Sequence, residues 1–305
     1  MIRFFKKIIL FLLAIVILDS LFGYVMDHVL RNTQKGDWGR SNYIMNEANS
    51  DIVILGSSRA IHHYDPVLFA DSLGMTCYNS GEDGMGILLM YARYRAIRDR
   101  KIPRVIIYEV LPDFDLLCIN RKSSNQKYLK FLRPYKNAGY IDSLICNISS
   151  SEEFKLFSGM YRYNSIFADI CAQRISRSPD LARDYTYGPL DKTMKTAPKQ
   201  MINDKNEYHY DPLKLYYLEE MIMSCKLDGT ILIFTASPIF NPASDVAYAE
   251  LKNLCKKHSV PFINHFCDPD YVTNMDYFAD SGHLNRKGAE VFSAQLASEL
   301  KVFIE

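Results

Sequence analysis

Closely spaced cysteines are absent from this 305-residue sequence, and this limits the chemistry that it can support. The seven cysteines include no C-x-x-C pair, the spacing that many zinc and thiol-redox sites use. Several lie in apolar strand or helix contexts, where a thiol behaves as a small hydrophobic side chain. We therefore expect buried free thiols and predict no metal site. The odd count leaves at least one cysteine unpaired within the chain.

An excess of charge of one sign is also missing. Lysine and arginine number 36 against 35 aspartate and glutamate residues, so the balance gives no sign of a nucleic-acid partner, and we predict none. No internal repeat is visible, and the residues around Gly56 contain no phosphate-loop fingerprint, so we predict no nucleotide or other cofactor. The hydrophobic share of 48% and the charged share of 23% are those of a globular protein.

A long apolar run lies near the start of the sequence. Residues 1–7 carry three positive charges and lead into residues 8–26, nineteen positions in which Asp19 and Ser20 are the polar interruptions. A helix of that length spans roughly 28 Å, close to the thickness of a bilayer core. We predict a cytoplasmic basic tail over 1–7 and an uncleaved single-pass signal anchor over 8–26. Because the positive charge precedes the span, the remainder should lie on the extracytoplasmic side of the cytoplasmic membrane.

Two alternatives to the anchor stay open, a cleaved signal peptide and a buried soluble helix. No convincing A-x-A-like cleavage site follows the apolar run, which argues against the signal peptide. Asp19 is the main objection to a lone membrane span, because a carboxyl group there costs about 2.5 to 3.5 kcal/mol on insertion scales.

Strand and helix signals alternate from Asp51 onward. Mostly branched apolar residues at 52–55 run into Gly56, as in a buried parallel strand that ends at a tight turn. Four further short strands and the helices between them, one of which is expected to open at Asn241-Pro242, predict an α/β three-layer sandwich with a five-stranded parallel sheet and right-handed crossovers. Residues 27–50 should form a juxtamembrane linker, so removing residues 1–26 should leave a soluble folded domain.

Three short motifs place reactive side chains beside these strands. Gly56-Ser57-Ser58 follows the first strand, and such a turn lifts a hydroxyl to the carboxyl end of the sheet, where α/β folds bind ligands. Asp280 precedes His283 by three residues, so the carboxylate can orient the imidazole, which can act as a base toward a serine. Residues 79–84 form an N-x-G-x-x-G run. Each motif alone also suits a helix cap, a turn or a surface position.

In this order and on these elements the motifs resemble those of the SGNH/GDSL hydrolase superfamily, over most of residues 50–303. The resemblance implies that Ser58 is the nucleophile, that His283 is its base and that Asp280 orients the base. It also implies that the backbone N–H groups of Ser58 and Gly84 hold the oxyanion. Ser57 replaces the family's aspartate, a change also seen in membrane-tethered relatives that handle cell-envelope acyl groups.

The family's G-x-N block is missing, because the strand at 104–108 runs straight into Glu109-Val110-Leu111-Pro112. The family's strand order, 2-1-3-4-5, would place Glu109 beside Ser58 and Arg59. We predict that Glu109 is neutralised by Arg59 or hydrogen-bonded to local backbone N–H groups and that it shapes the site. Only two backbone donors would then hold the oxyanion, so simple activated esters should be hydrolysed slowly.

Three further residues are candidates for binding the substrate. Arg59 suits either a substrate anion or a structural salt bridge. His62 lies four residues after Ser58, on the same helical face, and suits either packing or substrate contact. Asn79 opens the N-x-G-x-x-G run, whereas His63 has only its adjacency to recommend it.

Residues 112–210 interrupt the alternation within a catalytic domain of residues 51–305. The segment is too long for a structureless loop, and we predict a mainly helical cap insertion over the carboxyl edge of the sheet. Between Arg121 and Glu207 it holds fifteen basic and nine acidic residues. This surplus suits an anionic acceptor, a membrane-facing surface, or simply solvated helix faces.

The resemblance implies a serine-dependent esterase or acyltransferase acting on O-acyl groups, above all O-acetyl groups, of a cell-envelope glycan or related polymer. Hydrolase and transferase differ only in whether water or a sugar hydroxyl resolves the acyl-enzyme. The alternative is a catalytically silent SGNH-like binding module in surface-polysaccharide assembly. Labelling by a fluorophosphonate probe, which needs an activated serine, separates the two.

Overall fold

A computed structural model describes residues 1–118, 125–176, 188–197 and 208–304. The chain divides into two compact units. The helical unit comprises, in its described part, residues 1–43 and 125–176, and the sheet unit comprises residues 44–118, 188–197 and 208–304.

The strands are β1 (Ile52–Gly56), β2 (Cys77–Asn79), β3 (Val105–Glu109), β4 (Ile231–Ala236) and β5 (Phe262–Asn264). The α-helices are α1 (Ile2–Arg31), α2 (Gly36–Asn46), α3 (Ser58–His63), α4 (Pro66–Leu73), α5 (Ile87–Arg98), α6 (Pro112–Asp115), α7 (Leu129–Leu132), α8 (Gly139–Ile148), α9 (Glu152–Lys155), α10 (Gly159–Tyr163), α11 (Phe167–Ile175), α12 (Pro212–Asp228), α13 (Ala249–His258), α14 (Pro269–Val272) and α15 (Arg286–Ile304).

The sheet unit is built on five parallel strands in the order β2-β1-β3-β4-β5, which confirms the predicted α/β fold and strand order. β1 and β3 are buried at every residue, as expected of parallel strands covered on both faces. On one face of the sheet, apolar side chains of α3, α4 and α15 form a core cluster with every second residue of β1 and β3. The helices α5 and α12 pack against each other. Helices therefore cover the sheet on both sides.

The carboxyl ends of the central strands are level with one another. Gly56 pairs with Glu109, and Glu109 pairs with Thr235 on β4. Gly56 has a φ of +142°, and a Cβ added there would lie 2.5 Å from the carbonyl oxygen of Glu109, so only glycine fits this turn. The turn brings the chain directly into α3, which begins at Ser58.

Two local predictions need correction. The helix expected to open at Asn241-Pro242 is wrong in its start: Asn241 has a φ of +50°, its N–H donates to the carbonyl of Val272 at 2.8 Å, and α13 begins only at Ala249. A left-handed residue does not begin an α-helix. The expectation of buried thiols holds for two of the seven free cysteines, Cys225 and Cys255, whereas Cys118, Cys171 and Cys267 are exposed.

The helical unit is formed by α1 packed against α10 and α11. Its core cluster contains Met26 and Leu30 from α1, Trp38 from α2, and Tyr163, Ile166 and Ile170 from the insertion. Polar groups join the same helices: Asp19 accepts hydrogen bonds from Ser158 Oγ at 2.7 Å, Gly159 N at 2.8 Å and Met160 N at 2.9 Å.

The second half of the apolar run is therefore part of a folded unit. The segment predicted as a linker, residues 27–50, contains the end of α1 and all of α2. Removing residues 1–26 would delete Asp19 and Met26 from the helical unit. That this truncation leaves a soluble folded domain stays a prediction, and it applies most directly to the sheet unit. The first 18 residues are all exposed.

The predicted insertion at 112–210 is mainly helical where it is described, from α6 through α11. Residues 119–124, 177–187 and 198–207 lie outside the described residues. The position of these helices over the sheet stays a prediction. α1 is long and apolar enough to cross a membrane, although a signal sequence has the same character.

Candidate active site

Ser58, His283 and Asp280 meet at the carboxyl end of the sheet although they are far apart in the sequence. Ser58 Oγ lies 2.8 Å from Nε2 of His283, and Nδ1 of His283 lies 3.0 Å from Oδ1 of Asp280. An ionised carboxylate only accepts, so the imidazole proton belongs on Nδ1, and Nε2 is left to accept the proton of the serine hydroxyl. The structure thus brings together the three residues predicted to carry nucleophilic chemistry.

Asp280 is held by its own loop. Its Oδ1 accepts the backbone N–H groups of Gly282 at 2.9 Å and His283 at 3.0 Å. Partial burial opposes ionisation of Asp280, but the N–H of Gly282 and the charge of His283 together lower its pKa below the ordinary value. The group that orients His283 is therefore a fixed carboxylate.

The two adjacent serines of α3 and its cap are not equivalent. Ser57 is fully buried, and its Oγ has no hydrogen-bond partner in the part of the chain that the structure describes. Ser58 is partly exposed and bonded to His283. The geometry supports Ser58 as the reactive hydroxyl.

His63, which the sequence singles out only by adjacency, supports the loop of His283. Its Nε2 accepts the backbone N–H of Leu284 at 2.9 Å, and its Nδ1 lies 2.7 Å from Ser237 Oγ. Because Nε2 accepts, Nδ1 carries the proton and donates it to Ser237. Burial, and then the charges of His283 and Arg59, hold the pKa of His63 well below its ordinary value. Its partners follow it by more than 170 residues, so no local pattern reveals this role.

Glu109 belongs to the same buried hydrogen-bond network as His63, through Ser237. Arg59 Nε lies 3.0 Å from its Oε1, and the N–H of Ser237 donates to its Oε2 at 3.0 Å. Ser237 Oγ donates to Oε1 at 3.0 Å, and the hydroxyl of Tyr64 donates to Oε2. Burial raises the pKa of Glu109, and the charge of Arg59 opposes that rise. The predicted contacts of Glu109 with Arg59 and with a backbone N–H are confirmed.

Arg59 and Asn79 also lie beneath the site rather than in it. Arg59 is buried and donates to the carbonyl of Val110 at 2.9 Å. Asn79 is buried and donates to the carbonyls of Ala60 at 2.6 Å and Tyr64 at 3.1 Å. The side chains of Arg59, Asn79 and Glu109 join α3 and the strand ends to each other. For Arg59 this is the structural salt bridge, the second of its two predicted roles, and substrate contact by Arg59 or Asn79 stays a prediction.

The loop after β2 lies beside the Gly56 turn. The N–H of Glu82 donates to the carbonyl of Gly56 at 3.0 Å, and the buried Arg93 donates to the carbonyls of Ser80 and Gly81. Gly84 follows with a φ of +67°, a conformation that favours glycine. The loop that carries the predicted oxyanion donor is thus clamped to the same edge of the sheet as Ser58.

His62 lies at the site itself. Its ring stands edge-on to that of His283, with centroids 5.5 Å apart. Nδ1 donates to the carbonyl of Gly188, and Nε2 lies 3.6 Å from Oδ1 of Asp83. Among the residues predicted to contact the substrate, His62 is the one whose position beside His283 supports that prediction.

A cavity of about 580 Å³ opens next to Asp280. Its lining residues are Lys192, Thr193, Met194, Lys195, Thr196, Ala279, Asp280 and Ser281. The volume lies in the range of small-molecule sites. Among the described residues, no group of three or more His, Cys, Asp or Glu side chains is arranged to hold a metal ion.

No protein-family model matches this sequence, and no curated protein matches it. Solved structures do align with it. One is a Bacteroides fragilis protein assigned as an acylhydrolase, at 12% identity and a TM-score of 0.41, covering 83% of this chain and 88% of that one. A GDSL-like lipase from Bacteroides thetaiotaomicron aligns at 12% identity and a TM-score of 0.37, covering 82% and 87%.

A family two carbohydrate esterase from Clostridium thermocellum, solved with cellohexaose, aligns at 8% identity and a TM-score of 0.39, covering 83% of this chain and 64% of that one. At such identities a residue's role does not transfer from one chain to another. The chemistry of the site is therefore argued from the contacts of this chain.

Proposed function

We propose that the protein is a serine-dependent esterase or acyltransferase of the SGNH type that acts on O-acetyl or related O-acyl groups of a cell-envelope glycan. The observation that carries the proposal is the chain of contacts from Ser58 Oγ to His283 Nε2 at 2.8 Å and from His283 Nδ1 to Asp280 Oδ1 at 3.0 Å. A hydroxyl, a base and an orienting carboxylate in this arrangement form an activated nucleophile.

In the proposed reaction Ser58 Oγ attacks the acyl carbonyl while His283 Nε2 takes the hydroxyl proton. Asp280 keeps the Nδ1–H in place and stabilises the imidazolium that forms. His283 then returns the proton to the departing sugar oxygen, leaving an acyl group on Ser58. Water resolves this acyl-enzyme in a hydrolase, and a second sugar hydroxyl resolves it in a transferase.

The oxyanion would be held by the backbone N–H groups of Ser58 and Gly84. Glu109, which stands where the family has its G-x-N block, is directed into the buried network with Arg59 and Ser237 and donates nothing to the oxyanion. Losing one donor lowers the rate by about 10²- to 10³-fold in related acyl transfer. We accordingly expect slow turnover of p-nitrophenyl acetate, and fast turnover would contradict a two-donor site.

Two features support the proposed substrate class, the cavity beside Asp280 and the proposed location of the protein. The 580 Å³ cavity beside Asp280 has a volume that suits a small group such as an O-acetylated sugar unit. We further propose that α1 anchors the chain in the cytoplasmic membrane with the sheet unit on the extracytoplasmic side, where envelope glycans are found.

Labelling of the full-length protein in detergent by a fluorophosphonate probe tests the nucleophile. Ser58→Ala should abolish labelling, whereas Ser57→Ala should retain a measurable fraction and serves as the matched control. Labelling lost with Ser57→Ala and kept with Ser58→Ala would overturn the assignment. No labelling of the wild type would favour the silent binding module.

The reaction itself is tested on O-acetylated glycans with the same protein. Free acetate and acetate transferred to an added unacetylated glycan are measured in parallel, with Ser58→Ala as the blank. Free acetate alone identifies a hydrolase, and transferred acetate identifies a transferase. A labelled wild type that releases and transfers no acetate from any glycan would contradict the substrate class while leaving the nucleophile in place.

A further inference from the structure

Large apolar side chains of the insertion are exposed in, or within five residues of, the helices α10 and α11 that pack against α1. Phe154 is 74% exposed, Phe157 81%, Met160 59% and Phe167 47%. We call these four residues the apolar patch. Soluble surfaces rarely leave so many large apolar groups together without a partner.

The apolar patch lies beside one short stretch of α1, from Asp19 to Phe22. The backbone N–H of Met160 donates to Asp19 at 2.9 Å, and Phe157 is joined to the adjoining Ser158, whose Oγ donates to Asp19 at 2.7 Å. The ring of Phe167 lies 6.1 Å from that of Phe22. Phe154 precedes Phe157 by one turn, its carbonyl accepting the N–H of Phe157 at 3.4 Å.

This stretch of α1 falls at a depth that a bilayer would occupy, if α1 is the anchor proposed above. Lys6 and Lys7 stay among the inner headgroups, so the hydrocarbon layer begins near Ile8. A layer of about 30 Å corresponds to roughly 20 helical residues, which brings its far side to the neighbourhood of His28. The Asp19–Phe22 stretch, and the apolar patch with it, then lies within the apolar layer.

The polar contacts of α1 agree with that depth. Asp19, the residue that argues against a lone span, accepts three hydrogen bonds from the insertion, so its carboxylate need not be left unsatisfied in lipid. Asp27 lies two turns further along, is partly exposed, and is ion-paired at 3.0 Å to Arg162, which is buried. A charged pair of this kind suits the headgroup region where the layer ends.

We propose that lipid covers the apolar patch, so that the insertion is partly embedded in the outer leaflet beside α1 and forms a second membrane contact. The partner is the acyl-chain and headgroup boundary of the bilayer, and a second copy of the chain is the competing occupant. The contact is independent of the chemistry at Ser58.

Tryptophan fluorescence of the full-length protein in bilayer nanodiscs with brominated acyl chains tests the proposal. The single native tryptophan, Trp38, is buried and provides a constant background. Phe157→Trp should lose most of its emission in brominated lipid relative to unbrominated lipid, because bromine quenches indole on contact.

Ile175→Trp is the matched control in the same unit. Ile175 is 83% exposed, but it ends α11 next to Ser176, whose carbonyl accepts Lys35 Nζ at 2.7 Å. That position is beyond Arg31, roughly 18 Å further along α1 than Asp19. Its emission should be the same in both lipids.

Leu10→Trp, within the exposed part of α1, reports whether α1 is inserted. Quenching at Leu10→Trp without quenching at Phe157→Trp would overturn the proposal and leave the anchor intact. No quenching at either position would overturn both. An unquenched Phe157→Trp whose emission shifts with protein concentration would assign the apolar patch to a second copy. Fluorophosphonate labelling of the same samples keeps any of these results separate from the proposed function.

Discussion

The two units of this protein each hold a carboxylate in a position that the surrounding fold would otherwise disfavour, and they do so differently. In the sheet unit, Glu109 is fully buried and has a cation, Arg59, at 3.0 Å as well as O–H and N–H donors. In the helical unit, Asp19 accepts three hydrogen bonds around the first turn of α10. One carboxylate is neutralised by an ion pair, and the other is held by a helix end and its cap.

The difference reflects what each carboxylate connects. Glu109 pairs with Gly56 on one side and with Thr235 on the other, at the carboxyl ends of β1, β3 and β4. Its ion pair with Arg59 joins these strand ends to α3, the helix that begins at Ser58. Asp19 links α1 to the start of α10, where small residues let the helices approach: a Cβ added at Gly159 would lie 2.6 Å from the Cα of Gly23. The sheet unit therefore depends on charge pairing in its core, and the helical unit on close backbone contact.

The largest effect should come from breaking the buried ion pair. Glu109→Gln leaves Arg59 buried without its counter-charge, which typically destabilises by about 3–5 kcal/mol. We expect the free energy of opening of β3 to fall by this amount. It is measured by amide hydrogen exchange of residues 105–109 in the full chain. Glu219→Gln is the control, because Glu219 pairs with Lys257 at 2.6 Å on the surface and should change stability by less than about 1 kcal/mol. Equal effects of the two variants would contradict the role given to Glu109.

A smaller effect is expected from crowding the helical unit. Gly23→Leu places a side chain where a Cβ alone would lie 2.9 Å from the Cα of Gly159, and such overpacking costs about 1–3 kcal/mol. Faster amide exchange in α10 should report it. Gly139→Leu is matched to it, since nothing lies within 4 Å of a Cβ added at Gly139. Unchanged exchange in α10 would mean that the contact of α1 with α10 contributes little to the unit.

Sequence patterns predict the sheet unit well because its information is local. Branched apolar runs, aspartate caps and prolines mark the strands and helices between Asp51 and Ile304. The family resemblance of the motifs then implies the strand order, and the strand order predicts which strand ends meet. The hydrogen-bond network beneath the site is harder to predict from the sequence. The contact between Glu109 and Arg59 follows from strand order, but Ser237 and the role of His63 depend on residues that converge from distant parts of the chain.

The packing of the helical unit could not be predicted from the sequence, for a related reason. α2 contains few apolar residues in a helical pattern, and Trp38 becomes a core residue only through its partners on α11 and elsewhere in the unit. Asp19 looks like a fault in a membrane span until the donors at Ser158 to Met160 are known. For both Trp38 and Asp19, the hydrogen-bond partners that make the position of the side chain favourable lie more than 130 positions away in the sequence.

The smallest expected effect concerns pH and the sheet unit, through His63. Its pKa is held well below the ordinary value in the folded protein, first by burial and then by the charges of His283 and Arg59. As pH falls below about 6.5 the unfolded chain binds a proton at this residue and the folded chain does not. The folded state therefore loses stability as pH falls, by up to about 1.4 kcal/mol per pH unit.

His63→Gln should flatten that dependence while keeping the contacts, because the amide oxygen can accept the N–H of Leu284 and the amide N–H can donate to Ser237 Oγ. Urea unfolding is measured between about pH 7.5 and 5.5, with a brief deuterium pulse at one fixed pH reporting the unfolded fraction of β3. All other residues are common to the wild type and the variant, so the difference between the two stability slopes isolates His63. Wild-type stability should fall faster toward low pH than that of His63→Gln, and parallel slopes would mean that His63 binds a proton without leaving the fold. A buried neutral imidazole would then be excluded as the support of the His283 loop.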